Sequence, residues 1–356
     1  MKNLYFIKEI SFFFYKFRHI IVYTIIGFFS IICELIIRNF LLSFNLDLIT
    51  CSIIGIVIGI FIAFYLNIKI NFYIKDKVLP KALLYYFIIS IISIIFQFYL
   101  SSYTKFEFYT FYKYEVERLV ISAFVFIFSY LLHKSFSFKN SAKLGVAIYA
   151  SKETDVHSIY QKIGIFPDFI HVDIVDKTFV SKAEPINFSK YKLIKKYWKK
   201  QEIHTHLMTK KPKNFIERVS KFSDLIFIHW EIDDNLNDVI EIIKKNHTKI
   251  GVVLHTVNNY DNLLEEITNK FSNIMVLCIP QAGFSGQKFD KKSYDLIGKL
   301  NQIQKRKNIN LFVDGGINNT NIKNINAENI ISGSNVLNNK DPRKQIMILK
   351  TFGRYI

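Results

Sequence analysis

Two histidines and two aspartates carry the strongest chemical signal in this 356-residue sequence: His171, Asp173, His206 and Asp314. Imidazole nitrogens are borderline ligands and carboxylate oxygens hard ones, so the set suits one divalent transition metal, with Zn, Fe, Mn and Co all eligible. His171 and Asp173 lie two residues apart, a spacing that turns both side chains to one face of a strand. His204 and His206 share that spacing. Two carboxylates on opposite sides of a substrate can exchange acid and base roles, so Asp173 and Asp314 are also the candidate catalytic pair. Glycine gives a second signal. Gly283-Phe284-Ser285-Gly286, Gly315-Gly316 and Gly333-Ser334 each follow an apolar run. Glycines let backbone N–H groups approach an anion closely, so the three sets together read as a phosphate and substrate site.

Such groups need elements to hold them. Short β-rich runs recur at Leu144–Tyr149, Phe169–Val175, Ile203–Met208, Leu225–His229, Lys249–Leu254, Ile274–Ile279, Asn310–Val313 and Asn329–Ile331. Stretches of helical period, such as Asn235–Lys245 and Lys291–Gln304, separate most of them. Strands alternating with helices predict a parallel sheet, and eight of them predict a (β/α)8 barrel. In that fold reactive groups belong at the C-terminal ends of strands, with phosphate sites after the seventh and eighth. His171 and Asp173 end the second run, His206 the third, His229 and Glu231 the fourth, His255 the fifth and Asp314 the seventh.

Composition divides the chain near Asn140. With 50% hydrophobic and 21% charged residues, disordered, collagen-like and coiled-coil classes are excluded. Cys33, Cys51 and Cys278 are widely spaced, which excludes a disulfide framework or cysteine-rich zinc module and suits a reducing compartment. The net charge of +18 splits into +7 up to Asn140 and +11 beyond it. The lysines are scattered, without an Arg-rich helix or aromatic RNA motif, so no nucleic acid is expected. Anionic lipid or a phosphorylated substrate fits better.

Before Asn140, four apolar runs reach or approach the roughly 20 residues that cross a bilayer. They are Ile20–Leu42, Leu48–Leu66, Ala82–Ser101 and Leu119–Leu132, the last longer if Tyr114 and Val116 begin its helix. The basic start (Lys2, Lys8, Lys16, Arg18) leads into a full-length span without a small-residue cleavage site, so a cleaved signal peptide is not expected. Lys69, Lys75, Lys77 and Lys81 crowd the second connection, and Lys134, Lys139 and Lys143 the last exit. The first connection is nearly uncharged, and the third mixes Lys105 and Lys113 with Glu107, Glu115 and Glu117. The positive-inside bias then puts both termini and the whole second half on the cytoplasmic side of an inner-membrane, multi-pass protein. Glu34 and Arg38 share one face of the first span. Either they serve function at that depth, or Arg38 snorkels to the outer interface with Glu34 as its partner. The second and fourth spans end alike, with Asn67 or His133, then Lys69 or Lys134, then an aromatic, which predicts two tandem helical hairpins.

These paired exits resemble the GtrA family of small membrane proteins. The family usually carries Asn followed by Arg-Arg there; Asn67 and Lys69 keep the first pattern, and His133 and Lys134 approximate the second. The resemblance implies a four-helix transmembrane domain over residues 1–140 that handles polyprenyl-phosphate-linked sugars in cell-surface polysaccharide synthesis. A closer resemblance lies in the second half. His171-Val-Asp-Ile-Val-Asp176, His206-Leu-Met208, Gly283-Phe-Ser-Gly-Gln-Lys-Phe289, Val313-Asp-Gly-Gly-Ile-Asn318 and Ser332-Gly-Ser334 are similar to the ribulose-phosphate 3-epimerase family. That similarity implies a metal-dependent epimerase over residues 141–356, acting on a ketose phosphate next to its carbonyl. It selects His206 over His204, makes Asp176 an orienting residue and places Met208 near the metal. Val146-Ala147 replaces a usual Pro-Ser pair, Lys177 a glycine, and His255-Thr256 an Asn-Pro pair. Val175 and Cys278 stand where methionines are usual.

The resulting expectation is a multi-domain protein, a four-helix transmembrane bundle followed by an α/β (β/α)8 TIM barrel. Its function is epimerisation of a sugar phosphate through an enediolate, serving lipid-linked glycan assembly. The expected partners are a sugar phosphate and membrane lipid, including a polyprenyl-phosphate sugar, with homo-oligomerisation open. The rival expectation is a translocation or scaffold protein whose barrel only binds a phosphosugar.

Overall fold

A computed structural model describes residues 2–74, 79–103 and 124–355. Cα packing divides the chain into two units, Met1–Phe12 with Ser141–Tyr355, and Phe13–Asn140.

In the first unit eight strands close into a barrel in sequence order, each parallel to its neighbours. They are β1 (Lys143–Tyr149), β2 (Phe169–Val175), β3 (Glu202–Met208), β4 (Leu225–His229), β5 (Lys249–His255), β6 (Asn273–Leu277), β7 (Asn310–Asp314) and β8 (Asn329–Ser332). β2 and β4 run from Phe169 and Leu225 to Val175 and His229 as the β-rich runs predict; the other strands differ from their runs by one or two residues at one end, or at both in β6. The strands are almost continuously apolar because a parallel sheet is covered on both faces. Outward residues such as Val146, Ile170, Val172 and Ile226 form one core with the surrounding helices, while Phe169, Phe227, Met275 and Phe312 fill the interior. The interior is tight: a Cβ on Gly145 would lie 2.1 Å from the Phe169 ring.

Acids seal the N-terminal rim. Asp168 Oδ2 accepts from the Leu144 N–H at 2.8 Å, Asp224 Oδ2 from Ile203 at 2.7 Å, and Glu328 Oε2 from Leu311 at 3.0 Å. In each case the acid just before one strand ties down the start of the strand before it. The helix predicted from Asn235 begins at Leu236, and the Asn235 side chain caps it by accepting from Asn237 and Asp238 N–H.

The described part of the second unit is helical, and among the described residues three helices are long and apolar enough to cross a membrane. They are α1 (Lys2–Leu42), α2 (Leu48–Leu66) and α3 (Leu79–Tyr103). α1 begins well before Ile20, because the basic residues that mask its apolar pattern do not prevent helix formation. Residues 124–132 are helical as well. The start of the fourth span at Leu119, the third connection with Lys105, Glu107, Lys113, Glu115 and Glu117, and Lys75 and Lys77 lie outside the described residues. Gly55 and Gly59 of α2 bring it against Glu34 of α1: a Cβ on Gly55 would sit 3.0 Å from the Glu34 carbonyl oxygen. The two similar exits adopt one conformation. Asn67–Asn71 and His133–Ser137 are both five-residue π-helical turns, closed by Phe72 N–H donating to Asn67 O and Phe138 N–H donating to His133 O. The Phe72 and Phe138 rings stack at 4.2 Å.

Candidate functional site

Register builds the site. Asp173 of β2 lies opposite Tyr149 of β1 and His206 of β3, while His171 lies opposite Ala147 and His204. Paired residues in a parallel sheet share a face, so the interior column of β2 meets the histidine column of β3. The structure brings one ligand atom each from His171, Asp173, His206 and Asp314 to within 4.8 Å of one another. His206 Nδ1 is 3.2 Å and His171 Nε2 3.5 Å from Asp173 Oδ1. His204 sits one layer deeper, its ring stacked at 4.3 Å on Phe169 and its Nε2 3.3 Å from Glu202 Oε2. Both ring nitrogens of His171 are buried without a hydrogen-bond partner. A divalent cation would satisfy one of them, and the mixed imidazole and carboxylate set fits such an ion.

The two carboxyls have been driven apart in proton affinity. Burial works against the Asp173 carboxylate, but contacts with His171 and His206 more than compensate and bring it down to about 2. Asp314 is pushed up to about 7 by burial, with His171 opposing the rise and Asp173 adding to it. Burial lowers His206 to about 3, so its ring is neutral. In His171 burial is outweighed by the two aspartates, which raise it. Environments that separate two carboxyls in this way produce one base and one acid at the same pH.

The other residues singled out by sequence occupy distinct places. The Asp176 carboxylate is engaged away from the cluster: Oδ1 accepts from Thr178 N–H at 2.9 Å and Oδ2 from Thr209 Oγ1 at 2.7 Å. It thereby ties the loop after β2 to the end of β3, whose Met208 carbonyl accepts from Asp176 N–H. Met208 is buried. Gly315 and Gly316 follow β7 with φ of 101° and 66°, and a Cβ on Gly316 would lie 2.3 Å from Phe289 N. Gly283, Phe284, Ser285 and Gly286 form the loop after β6, laced by the Gln287 side chain to the Gln281 and Phe284 carbonyls. Gly333 faces Ala147 at the closure of the barrel, and Ser334 opens a short helix over Ser334–Leu337. The three glycine sets thus occupy neighbouring strands β6, β7 and β8. Cys278 packs in the outer core, while Leu277 and Ile279 belong to the interior cluster.

Two further residues stand near the cluster. His229 Nε2 is 2.9 Å from His206 Nε2. Tyr149 ends β1 on the interior face, and its phenol is held well above its ordinary range by burial and by the charges of Asp173 and Asp314. Counting by twos from Ala147 along β1 would have found Tyr149. His229 needed the lateral register of β3 against β4, in which His206 pairs with Phe227, one interior step before His229.

Fold and site together define a (β/α)8 barrel protein with a buried histidine–aspartate cluster, joined to a multi-pass, membrane-associated domain. Residues 144–337 match the Ribulose-phosphate 3 epimerase family and residues 22–138 the GtrA/DPMS transmembrane domain. The chain belongs to the ribulose-phosphate 3-epimerase family and carries a GtrA-like domain on its N-terminal side. The ribulose-phosphate 3-epimerase of Aquifex aeolicus is 27% identical over 192 residues, covering 52% of this chain and 84% of that protein. That of Buchnera aphidicola is 31% identical over 163 residues, 44% of this chain and 69% of the relative. That of Escherichia coli is 26% identical over 188 residues, 50% and 81% respectively.

Proposed function

We propose that this protein is a membrane-held, metal-dependent epimerase of a ketose phosphate. The observation that carries the reading is the meeting of four buried groups, His171, Asp173, His206 and Asp314, within 4.8 Å at the C-terminal ends of the strands. Epimerisation beside a ketone removes a proton from one face of a carbon and returns one to the other. Asp173 and Asp314 are the pair that exchanges base and acid roles on the two sides of that carbon. When bound through these four residues, a Zn, Fe, Mn or Co ion supplies Lewis-acid stabilisation of the charge that develops on the substrate oxygens. Each carboxylate has a second oxygen for proton transfer. The glycine loops after β6, β7 and β8 hold the phosphate, and Asp176 keeps the neighbouring loops in place.

The GtrA-like domain supports a role in lipid-linked sugar handling for cell-surface polysaccharide. Lysine placement supports an inner-membrane location with the barrel and both termini in the cytoplasm. The domain limits we propose are 1–140 and 141–356. The test is solvent proton exchange. The full chain in detergent with Zn²⁺, Fe²⁺, Mn²⁺ or Co²⁺ should wash deuterium into at least one member of a ketose phosphate panel, and no exchange in any member removes the epimerase reading.

A second reading, a barrel that binds a phosphosugar without turning it over, is favoured by Ala147 in place of a hydroxyl and by exposed Lys177 in place of glycine. Asp314→Asn distinguishes the two, since a binding-only barrel should keep its cellular role with that change.

A further inference from the structure

Behind the cluster lies a chain of side chains that no ligand role requires. His206 offers its two nitrogens in opposite directions: Nδ1 lies 3.2 Å from Asp173 Oδ1, and Nε2 lies 2.9 Å from His229 Nε2. The two rings are nearly parallel, 19° apart, with centroids 5.1 Å apart. His229 Nδ1 in turn lies 3.8 Å from Glu231 Oε2. Glu231 is held by the Tyr260 hydroxyl and by Asn258 Nδ2, both donating to its Oε1. Phe179, from the loop after β2, closes over the His229 ring with centroids 4.6 Å apart. His229 is buried.

Two imidazole nitrogens at 2.9 Å share a single proton, and its owner decides the tautomer of both rings. If His206 owns it, Nε2–H donates to His229, His206 Nδ1 is a bare lone pair facing the cluster, and His229 carries its own proton on Nδ1 toward Glu231. If His229 owns it, His206 is protonated on Nδ1, which then points a hydrogen into the cluster and cannot ligate. The Glu231 carboxylate favours the first arrangement, because its charge stabilises a proton on the His229 nitrogen nearest to it.

We infer that His229, backed by Glu231, is a positioning residue that fixes His206 in the tautomer presenting Nδ1 to a divalent cation. This inference rests on the metal reading given above. It makes the fourth strand part of the metal centre, although it contributes no ligand. Removing such an outer partner generally weakens metal binding about 10- to 100-fold.

The test is Co²⁺ titration of the full chain in detergent, read by affinity and by the visible Co²⁺ spectrum. His229→Leu should weaken binding by about 10- to 100-fold and change the spectrum, with Glu231→Gln giving a smaller loss in the same direction. His229→Gln, equal in bulk to the Leu variant but retaining a carbonyl acceptor for the His206 Nε2–H, should recover most of the affinity. Binding and spectrum unchanged in His229→Leu, or a Gln variant as weak as the Leu variant, overturns the inference. If the unaltered chain takes up no Co²⁺, the metal reading itself fails, an outcome distinct from either of these.

Discussion

Asp173 and Asp314 are chemically identical and separated only by their neighbours. Asp173 faces two imidazoles, whereas Asp314 has burial and the charge of Asp173 against it. Replacing either with Asn should lower solvent exchange into substrate by about 10²- to 10⁴-fold, the usual contribution of a positioned acid or base. Asp314 also sets a pH dependence. Because its pKa is raised to about 7, a proton occupies it below that value and competes with the cation. Apparent Co²⁺ affinity should therefore fall as pH drops through about 7, with protons released on the acidic side from Asp314 and from His171, whose pKa the two aspartates also raise. Calorimetric titration in buffers of different ionisation enthalpy measures those protons, and pH-independent binding without release would refute the assignment. At this scale much was legible, because the i, i+2 spacing of His171 and Asp173 and the ends of the apolar runs require no tertiary knowledge. The His206–His229 contact was not, since it depends on which residues of two separate strands lie side by side.

Among the elements, the glycines separate into those that packing demands and those that backbone shape demands. Gly145 faces the Phe169 ring inside the barrel, where a methyl would overlap carbon atoms that have nowhere to move. Gly145→Ala should destabilise the barrel by about 1–3 kcal/mol, the usual penalty for an overfilled core. Gly286 has open space around it but a φ of 78°, so Gly286→Ala should cost about 1 kcal/mol. Thermal unfolding of the two variants in detergent, compared with the parent, gives the ranking, and equal losses would contradict it. Strands were readable in sequence because buried parallel strands are apolar throughout. The acids before β2, β4 and β8 were not recognised as strand clamps, because each bonds to a strand about twenty residues earlier.

For the molecule as a whole, the divide near Asn140 was visible as a change of solvent: apolar runs of bilayer length before it, short runs broken by charge after it. The early start of α1 was less visible, since Lys2, Lys8 and Lys16 interrupt the hydrophobic pattern without breaking the helix. The proposed orientation is testable with one added thiol. Lys200 is exposed beside β3, and Cys51 and Cys278 are buried. In a background with Cys33 replaced by Ser, Lys200→Cys should react with a membrane-impermeant maleimide only after cells are permeabilised; labelling of intact cells would reverse the topology. The paired exits in the helical unit have a mechanical consequence. The Phe72 and Phe138 rings, each at the end of one exit turn, stack on each other. Like a rivet through two straps, that ring pair joins the turns, so a strain applied to either one is passed on to the other.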